Sequence, residues 1–323
     1  WTTQLNANWR GSYCFIPTER DDIFSAPSPD RLELREGWRK LLPQAIADPL
    51  NPQSWKGGRG HAVSALEMPQ APLQPGWDCP QAPEIAAKEI IWKSERLKKF
   101  TSCMEFLPPA MQQQKNVRWQ FCSMANFGRK SMPVWPVLTS LTHRQQLPPA
   151  VYVLIDAIDT THRAHELPCN ADFWLAVQQE LLPLVKAIAP FSDRADRTVV
   201  AGQSFGGLSA LYAGLHWPER FGCVLSQSGS YWWPHRGGQQ EGVLLEKLKA
   251  GEVSAEGLRI VLEAGIREPM IMRANQALYA QLHPIKESIF WRQVDGGHDA
   301  LCWRGGLMQG LIDLWQPLFH DRS

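Results

Sequence analysis

Ser204 lies in the stretch 196–215, DRTVVAGQSFGGLSALYAGL, where a short apolar run (198–201) passes through Gly202-Gln203-Ser204-Phe205-Gly206 into a segment of small, helix-compatible residues. A strand that turns sharply into a helix leaves the central serine exposed at the strand end, provided its flanking positions carry no bulky side chains. That is the setting of a nucleophilic hydroxyl. The helix N-terminus offers positive potential, and the Phe205 N–H is placed to bind an oxyanion. A glycine-rich turn that merely packs a helix against a sheet satisfies the bare G-x-S-x-G spacing equally well. The strand before and the helix after favour the nucleophile.

A serine hydroxyl is almost un-ionised at neutral pH and needs a base. Among nine histidines, His298 fits best, in Val294-Asp-Gly-Gly-His298-Asp between the last strand and the closing helix. The plainer alternative is a solvated loop histidine. The orienting acid should follow the strand 259–264, where the sequence reads LEAGIREP. Glu268, past the strand end, is the preferred candidate. Glu263, within the strand, is expected on a side face or in an ion pair. Asp295 and Asp299 flank His298 and stay open as alternatives.

Arg163 follows the strand 150–155 and the loop 156–161, at the sheet edge where substrate should lie. Its guanidinium fork suits an anionic substrate or phenolate oxygens, although a structural ion pair, with Glu166 for instance, explains it as well. The surrounding His162-Arg163-Ala-His165-Glu166 has neither the H-E-x-x-H nor the H-x-x-E-H spacing, so no metal site is expected there. Trp232 and Trp233, in Ser226-Gln-Ser-Gly-Ser-Tyr-Trp-Trp-Pro234, could stack on flat aromatic groups, with core packing the competing explanation for at least one of them.

These residues need a scaffold, and composition bounds it. The 323 residues can bury one large core plus a smaller unit; a net charge of +1 with 20% charged residues leaves no electrostatic footprint for nucleic acid or an anionic membrane. No run of about 18 apolar residues is present. Seven scattered cysteines without a C-x-x-C pair point to reduced thiols and a cytoplasmic protein. Residues 1–19 read as two strands, WTTQL and GSYCFIPT, around an Asn-rich turn. Ser28 can cap a helix over 31–42. The alternation in AVSALEMP reads as another strand, so 1–70 is expected to be a β-rich unit. Residues 71–85 hold four prolines as a linker would. From 86 to 323 strands and helices alternate: strands at 150–155, 198–201, 223–227, 259–264 and 289–294, helices over 173–189 and 307–319. This predicts an α/β domain with a mostly parallel sheet covered on both faces and ligands at the strands' carboxyl ends. Residues 100–130 do not fit that pattern.

Taken together, DPLNPQSW, SALEMPQAP, VLIDAIDTTHRAHELPCNADF, VVAGQSFGGLSALYAGL, SQSGSYWW, LEAGIRE and VDGGHDALCW resemble the enterochelin (enterobactin) esterase family. The resemblance implies an α/β-hydrolase domain preceded by a β-sandwich domain. It implies cytoplasmic hydrolysis of the ferric enterobactin trilactone to dihydroxybenzoylserine units, permitting iron release. It places the nucleophile on Ser204, the base on His298 and the acid on Glu268, with Arg163 in the substrate cleft. Iron would arrive as substrate cargo, and no cofactor or resident metal is implied. Two rival functions are a thioesterase or S-formylglutathione-type hydrolase using the same residues, and a non-catalytic siderophore-binding protein.

The resemblance also raises two expectations. About half of the family's sandwich would precede Trp1, so residues are expected to be missing there. A central apolar strand is expected before Met132-Pro-Val-Trp-Pro, and 100–130 lacks it, as a frame-shifted stretch would. Its loss would remove a second oxyanion donor, at about 3 kcal/mol in the barrier, and predicts weak or no activity. Resequencing of the coding DNA with mass spectrometry of the chain tests this: we expect peptides that depart from the printed 100–130, and peptides that match it would rule a sequence error out.

Overall fold

The computed structural model describes residues 2–19, 31–55, 61–77, 87–106, 118–122, 132–235, 241–282 and 287–315. The continuous apolar run 150–155 explains the architecture best. It forms β7 (Ala150–Ile155), in which every residue is buried. Val151, Val153 and Ile155 join one core, while Ala150, Tyr152 and Leu154 join another on the opposite face. A strand packed on both faces has no polar alternation to show, as expected for the interior of a parallel sheet.

Five more strands run parallel with it: β6 (Arg118–Cys122), β8 (Thr198–Gln203), β9 (Cys223–Gln227), β10 (Arg259–Gly265) and β11 (Ile289–Val294). An antiparallel hairpin, β4 (Lys88–Ser94) and β5 (Lys99–Phe106), extends the sheet beyond β7, and the order is β11-β10-β9-β8-β6-β7-β5-β4. One core is shared with α4 (Ala171–Ala176), α5 (Leu182–Ile188), α6 (Phe205–His216) and α8 (Pro269–Leu282); the other with α2 (Val134–His143) and α9 (Ala300–Trp315). Of the fifteen tryptophans, Trp92, Trp174, Trp303 and Trp315 are fully buried and belong to the core.

Three expectations are corrected. The central strand expected to be missing from 100–130 is present as β6, paired with both β7 and β8. Its sequence, RWQFC, lacks a continuous apolar run, and backbone pairing to two apolar neighbours supplies what the side-chain pattern does not. The loss of activity expected from a missing strand therefore does not follow. The loop expected to carry the second oxyanion donor, 123–131, lies outside the described residues, as do Ser28 and the linker from 78 to 85. Second, α9 begins at Ala300, seven residues before the expected start. Gly305 and Gly306 weaken the helical signal, but a Cβ on Gly306 would meet Glu263 Oε2 at 1.9 Å, so packing demands the small residue. Third, residues 2–5 of WTTQL are not a strand. Ala7 and Trp9 instead bond the segment after β3 (Val63–Glu67), with Gln70 N and Met68 N donating to their carbonyls.

The N-terminal residues form an antiparallel sheet, β1-β3-β2, from β1 (Arg10–Tyr13), β3 and β2 (Ser54–Trp55). Arg304 of α9 seats it. Its guanidinium carbon lies 5.2 Å from the rings of both Trp55 and Trp77, and it bonds Glu67 and Gln74. Gln74 is buried and donates to the Leu301 carbonyl at 2.7 Å.

A polar ladder crosses the sheet inside this apolar frame. Gln203 donates to Gln227 at 2.9 Å, Gln227 to Glu263 at 2.7 Å, and Arg292 to Glu263 at 3.0 Å. Glu263 thus occupies the ion pair its position suggested. Burial nevertheless raises its carboxyl above the usual carboxylate range, with Arg292 and Gln227 opposing the shift only in part. A raised folded value means that its contribution to stability is complete below the unfolded value and is lost as pH rises through the folded one. Relative to wild type, Glu263→Gln should therefore gain stability as pH rises from about 5 to about 7.5. Denaturant melts at the two pH values check this, and a relative loss would contradict it.

Candidate active site

The strand–turn–helix at Ser204 is strained at the serine. Ser204 adopts φ 60°, ψ −121° between β8 and α6, a conformation that costs on the order of 1–3 kcal/mol and persists only where its surroundings enforce it. Ladder pairing holds β8 to β9, and Ser204 N donates to the Gln227 carbonyl at 3.0 Å. A Cβ on Gly202 would meet the Gly206 backbone at 2.5 Å, so only glycine permits the helix to return this close. Phe205 opens α6, and its N–H belongs to the helix end that lacks intrahelical acceptors. Ser204 Oγ lies 3.4 Å from Ser230 Oγ.

Two strands away, β10 ends and its chain turns so that Glu268 N donates to the Gly265 carbonyl. The Glu268 carboxylate returns to the strand end. Its Oε1 pairs with His298 Nδ1 at 2.5 Å, and its Oε2 accepts from Gly265 N at 3.0 Å and Ser228 Oγ at 2.6 Å. The Glu268 side chain is 4% exposed and that of His298 27%, so the carboxylate is enclosed while the ring still meets solvent. A carboxylate at Nδ1 assigns the proton to that nitrogen and leaves the lone pair on Nε2.

The two alternative acids are engaged elsewhere. Asp295 is buried against Arg267, which donates from Nε at 2.7 Å, and Asn6, which donates at 2.6 Å. Arg267 first, with help from Asn6, holds its carboxyl below the usual range. Asp299 Oδ2 accepts from Ser12 N at 2.7 Å and Ser12 Oγ at 2.6 Å. Arg10 N adds a bond to the Asp295 carbonyl at 3.0 Å. The histidine loop is thus fastened at both ends to the N-terminal segment, a connection that no local sequence signal announced.

Arg163, on α3 (Thr160–Glu166), stands beside the Ser204 turn. One guanidinium nitrogen donates to the Gln203 carbonyl at 3.3 Å, and its carbon lies 5.6 Å from the Phe205 ring centroid. Glu166 pairs instead with Lys99 in a buried contact. Phe205 in turn faces Trp232, with centroids 5.8 Å apart and planes at 45°. Trp233 packs, half-buried, against the sheet core. The arrangement brings Arg163, Phe205 and Trp232 into one cationic and aromatic cluster next to Ser204. Trp303, which closes the GGHDALCW stretch but was assigned no role from sequence, sets its ring edge-to-face with His298 at 4.7 Å.

Comparison with known proteins shows the family. The family model "Enterochelin esterase, N-terminal" matches residues 1–77, and the Esterase family model matches 130–314. The iron(III) enterobactin esterase of Escherichia coli K12 is 90% identical over 323 residues, all of this chain and 80% of that protein. Among solved structures, the enterobactin esterase of Shigella flexneri in the presence of enterobactin is 89% identical with a TM-score of 0.91, covering 99% of this chain and 81% of that one. The ferric enterobactin esterase of Salmonella typhimurium is 66% identical with a TM-score of 0.93, covering 99% and 82%. Matched in both its N-terminal and its esterase segments, and over its whole length by such near relatives, the chain belongs to the enterochelin esterase family.

Proposed function

We propose that this chain is a serine esterase that hydrolyses the trilactone ester bonds of iron(III) enterobactin, with Ser204 as nucleophile, His298 as general base and Glu268 as the acid that orients it. The observation that carries the reading is the Glu268–His298 contact at the same carboxyl edge of the sheet as the strained Ser204 turn. The 90% identity to a protein named for this activity supports the substrate.

The reaction is a two-step acyl transfer. His298 Nε2 takes the proton as Ser204 Oγ attacks the lactone carbonyl, and the Phe205 N–H binds the developing oxyanion. The protonated imidazole then gives its proton to the leaving serine alkoxide. Water, activated by the same nitrogen, releases the acyl group. Glu268 stabilises the imidazolium without taking its proton. Arg163 and Trp232 hold the anionic catecholate rings through charge and stacking. Trp233, packed against the sheet core, serves this site through packing. Iron is cargo bound by the substrate's own oxygens.

The division into a unit at 1–70, a linker at 71–85 and a hydrolase domain at 86–323 is supported by the two separate sheets. No helix among the described residues is long and apolar enough to cross a membrane. A cytoplasmic location agrees with the thiols of Cys14, Cys103, Cys169, Cys223 and Cys302, none of which is in a disulfide.

Two outcomes are expected. Ser204→Ala should lower turnover of ferric enterobactin by at least about 10⁴-fold while retaining substrate binding, read by chromatography of linear trimer, dimer and monomer. Turnover near wild type would remove Ser204 from the mechanism, and binding without turnover in the wild-type chain would favour a siderophore-binding role. Arg163→Ala should raise KM about 10-fold or more with kcat changed by no more than about 3-fold, since a ground-state charge contact is lost. The reverse split, in steady-state kinetics, would place Arg163 in the chemical step.

A further inference from the structure

Ser228 follows β9 directly, and its backbone stands at φ 48°, in the left-handed region that glycine adopts without steric cost. Gly229 is its immediate neighbour, yet the strained position carries a serine. The residue is 1% exposed, so its side chain is closed off from solvent. Its backbone N–H extends the sheet by donating to the Glu263 carbonyl at 2.7 Å, a bond that any residue but proline would make. The hydroxyl is what a glycine would lack, and both of its bonds lead to the proposed triad. It donates to Glu268 Oε2 at 2.6 Å and accepts from Trp303 Nε1 at 2.9 Å. Trp303, itself 2% exposed, is the ring that stands edge-on to His298, at an interplanar angle of 86°.

The contacts close a loop: Trp303 to Ser228, Ser228 to Glu268, Glu268 to His298, and His298 back to Trp303. An indole N–H only donates. By occupying one lone pair of the Ser228 oxygen it turns the hydroxyl proton toward Glu268. The carboxylate then has its Oε2 held by two donors, and Oε1 is left in one direction for the imidazole.

We propose that Ser228, locked by Trp303, is a positioning residue for the esterase reaction: it fixes the rotation of the Glu268 carboxylate and so the plane in which His298 presents Nε2 to Ser204. The proposal rests on the reading of Ser204, His298 and Glu268 as the reacting set. It accounts for the strain at 228, because the hydroxyl is retained where the backbone alone would favour glycine.

The test compares Ser228→Ala with Ser228→Gly in the full chain. Both remove the hydroxyl, but only glycine also relieves the left-handed backbone, so the glycine variant should melt at the higher temperature of the two. Steady-state hydrolysis of ferric enterobactin should show both variants with kcat lowered about 10- to 100-fold by the same factor, and KM within about 2-fold of wild type. Wild-type kcat in either variant, or a kcat loss that follows melting temperature so that glycine recovers most of the activity, would overturn the proposal. If Ser204→Ala keeps its turnover the triad reading itself has failed; an inert Ser204→Ala beside a fully active Ser228→Gly refutes the Ser228 role alone.

Discussion

An ionised carboxylate enclosed in protein is costly unless donors surround it, and the site depends on how that cost is met at Glu268. The carboxylate receives Gly265 N, Ser228 Oγ and His298 Nδ1, one from each of three chain segments that end at the same sheet edge. Each donor is fixed by a different strand: β10 supplies Gly265, β9 leads into Ser228, and β11 leads into the histidine loop. Register between these strands therefore becomes register between the donors. A one-residue slip of β10 against β9 would separate Ser228 from Glu268 and leave a buried charge short of a partner.

The histidine loop receives a second set of constraints from the other end of the chain. Asn6, Arg10 and Ser12 hold Asp295 and Asp299, the residues that bracket His298. Arg304, between Trp55 and Trp77, fixes the N-terminal sheet on the helix that begins just after that loop. The N-terminal segment thus acts on the geometry of the histidine loop as well as on the stability of the chain. Ionic pairing at Arg267–Asp295 adds to this hold even though Arg267 is half exposed, because its partner is almost wholly enclosed.

Strands β7 to β10 were legible because parallel strands buried on both faces read as apolar runs; β11, at the sheet edge, is only partly buried and still ended at its expected residue. Ser204, His298 and Glu268 could be singled out as candidates because chain order and strand ends restrict where such residues can stand, and the structure pairs Glu268 with His298. Glu268 was preferred to Asp295 and Asp299 on its position past the strand end and on the family resemblance, and the structure pairs those two aspartates with Arg267, Asn6 and Ser12. What escaped reading has physical causes. β6 is specified by its neighbours rather than by its own RWQFC pattern. The start of α9 was hidden by Gly305 and Gly306, which are small because Gln74 and Glu263 press against them. Ser228 and Trp303 act through contacts 75 positions apart in the chain, for which local spacing carries no signal.

The most direct measurement of the central claim is covalent capture of the nucleophile. An alkyl fluorophosphonate reacts with a serine only when a neighbouring base activates it. Intact-mass and peptide analysis should find one phosphonyl group per chain, on the peptide that contains Ser204, with labelling suppressed in His298→Ala. Failure to label, or a label on any other residue, would contradict the assignment of Ser204 and His298 as an activated pair.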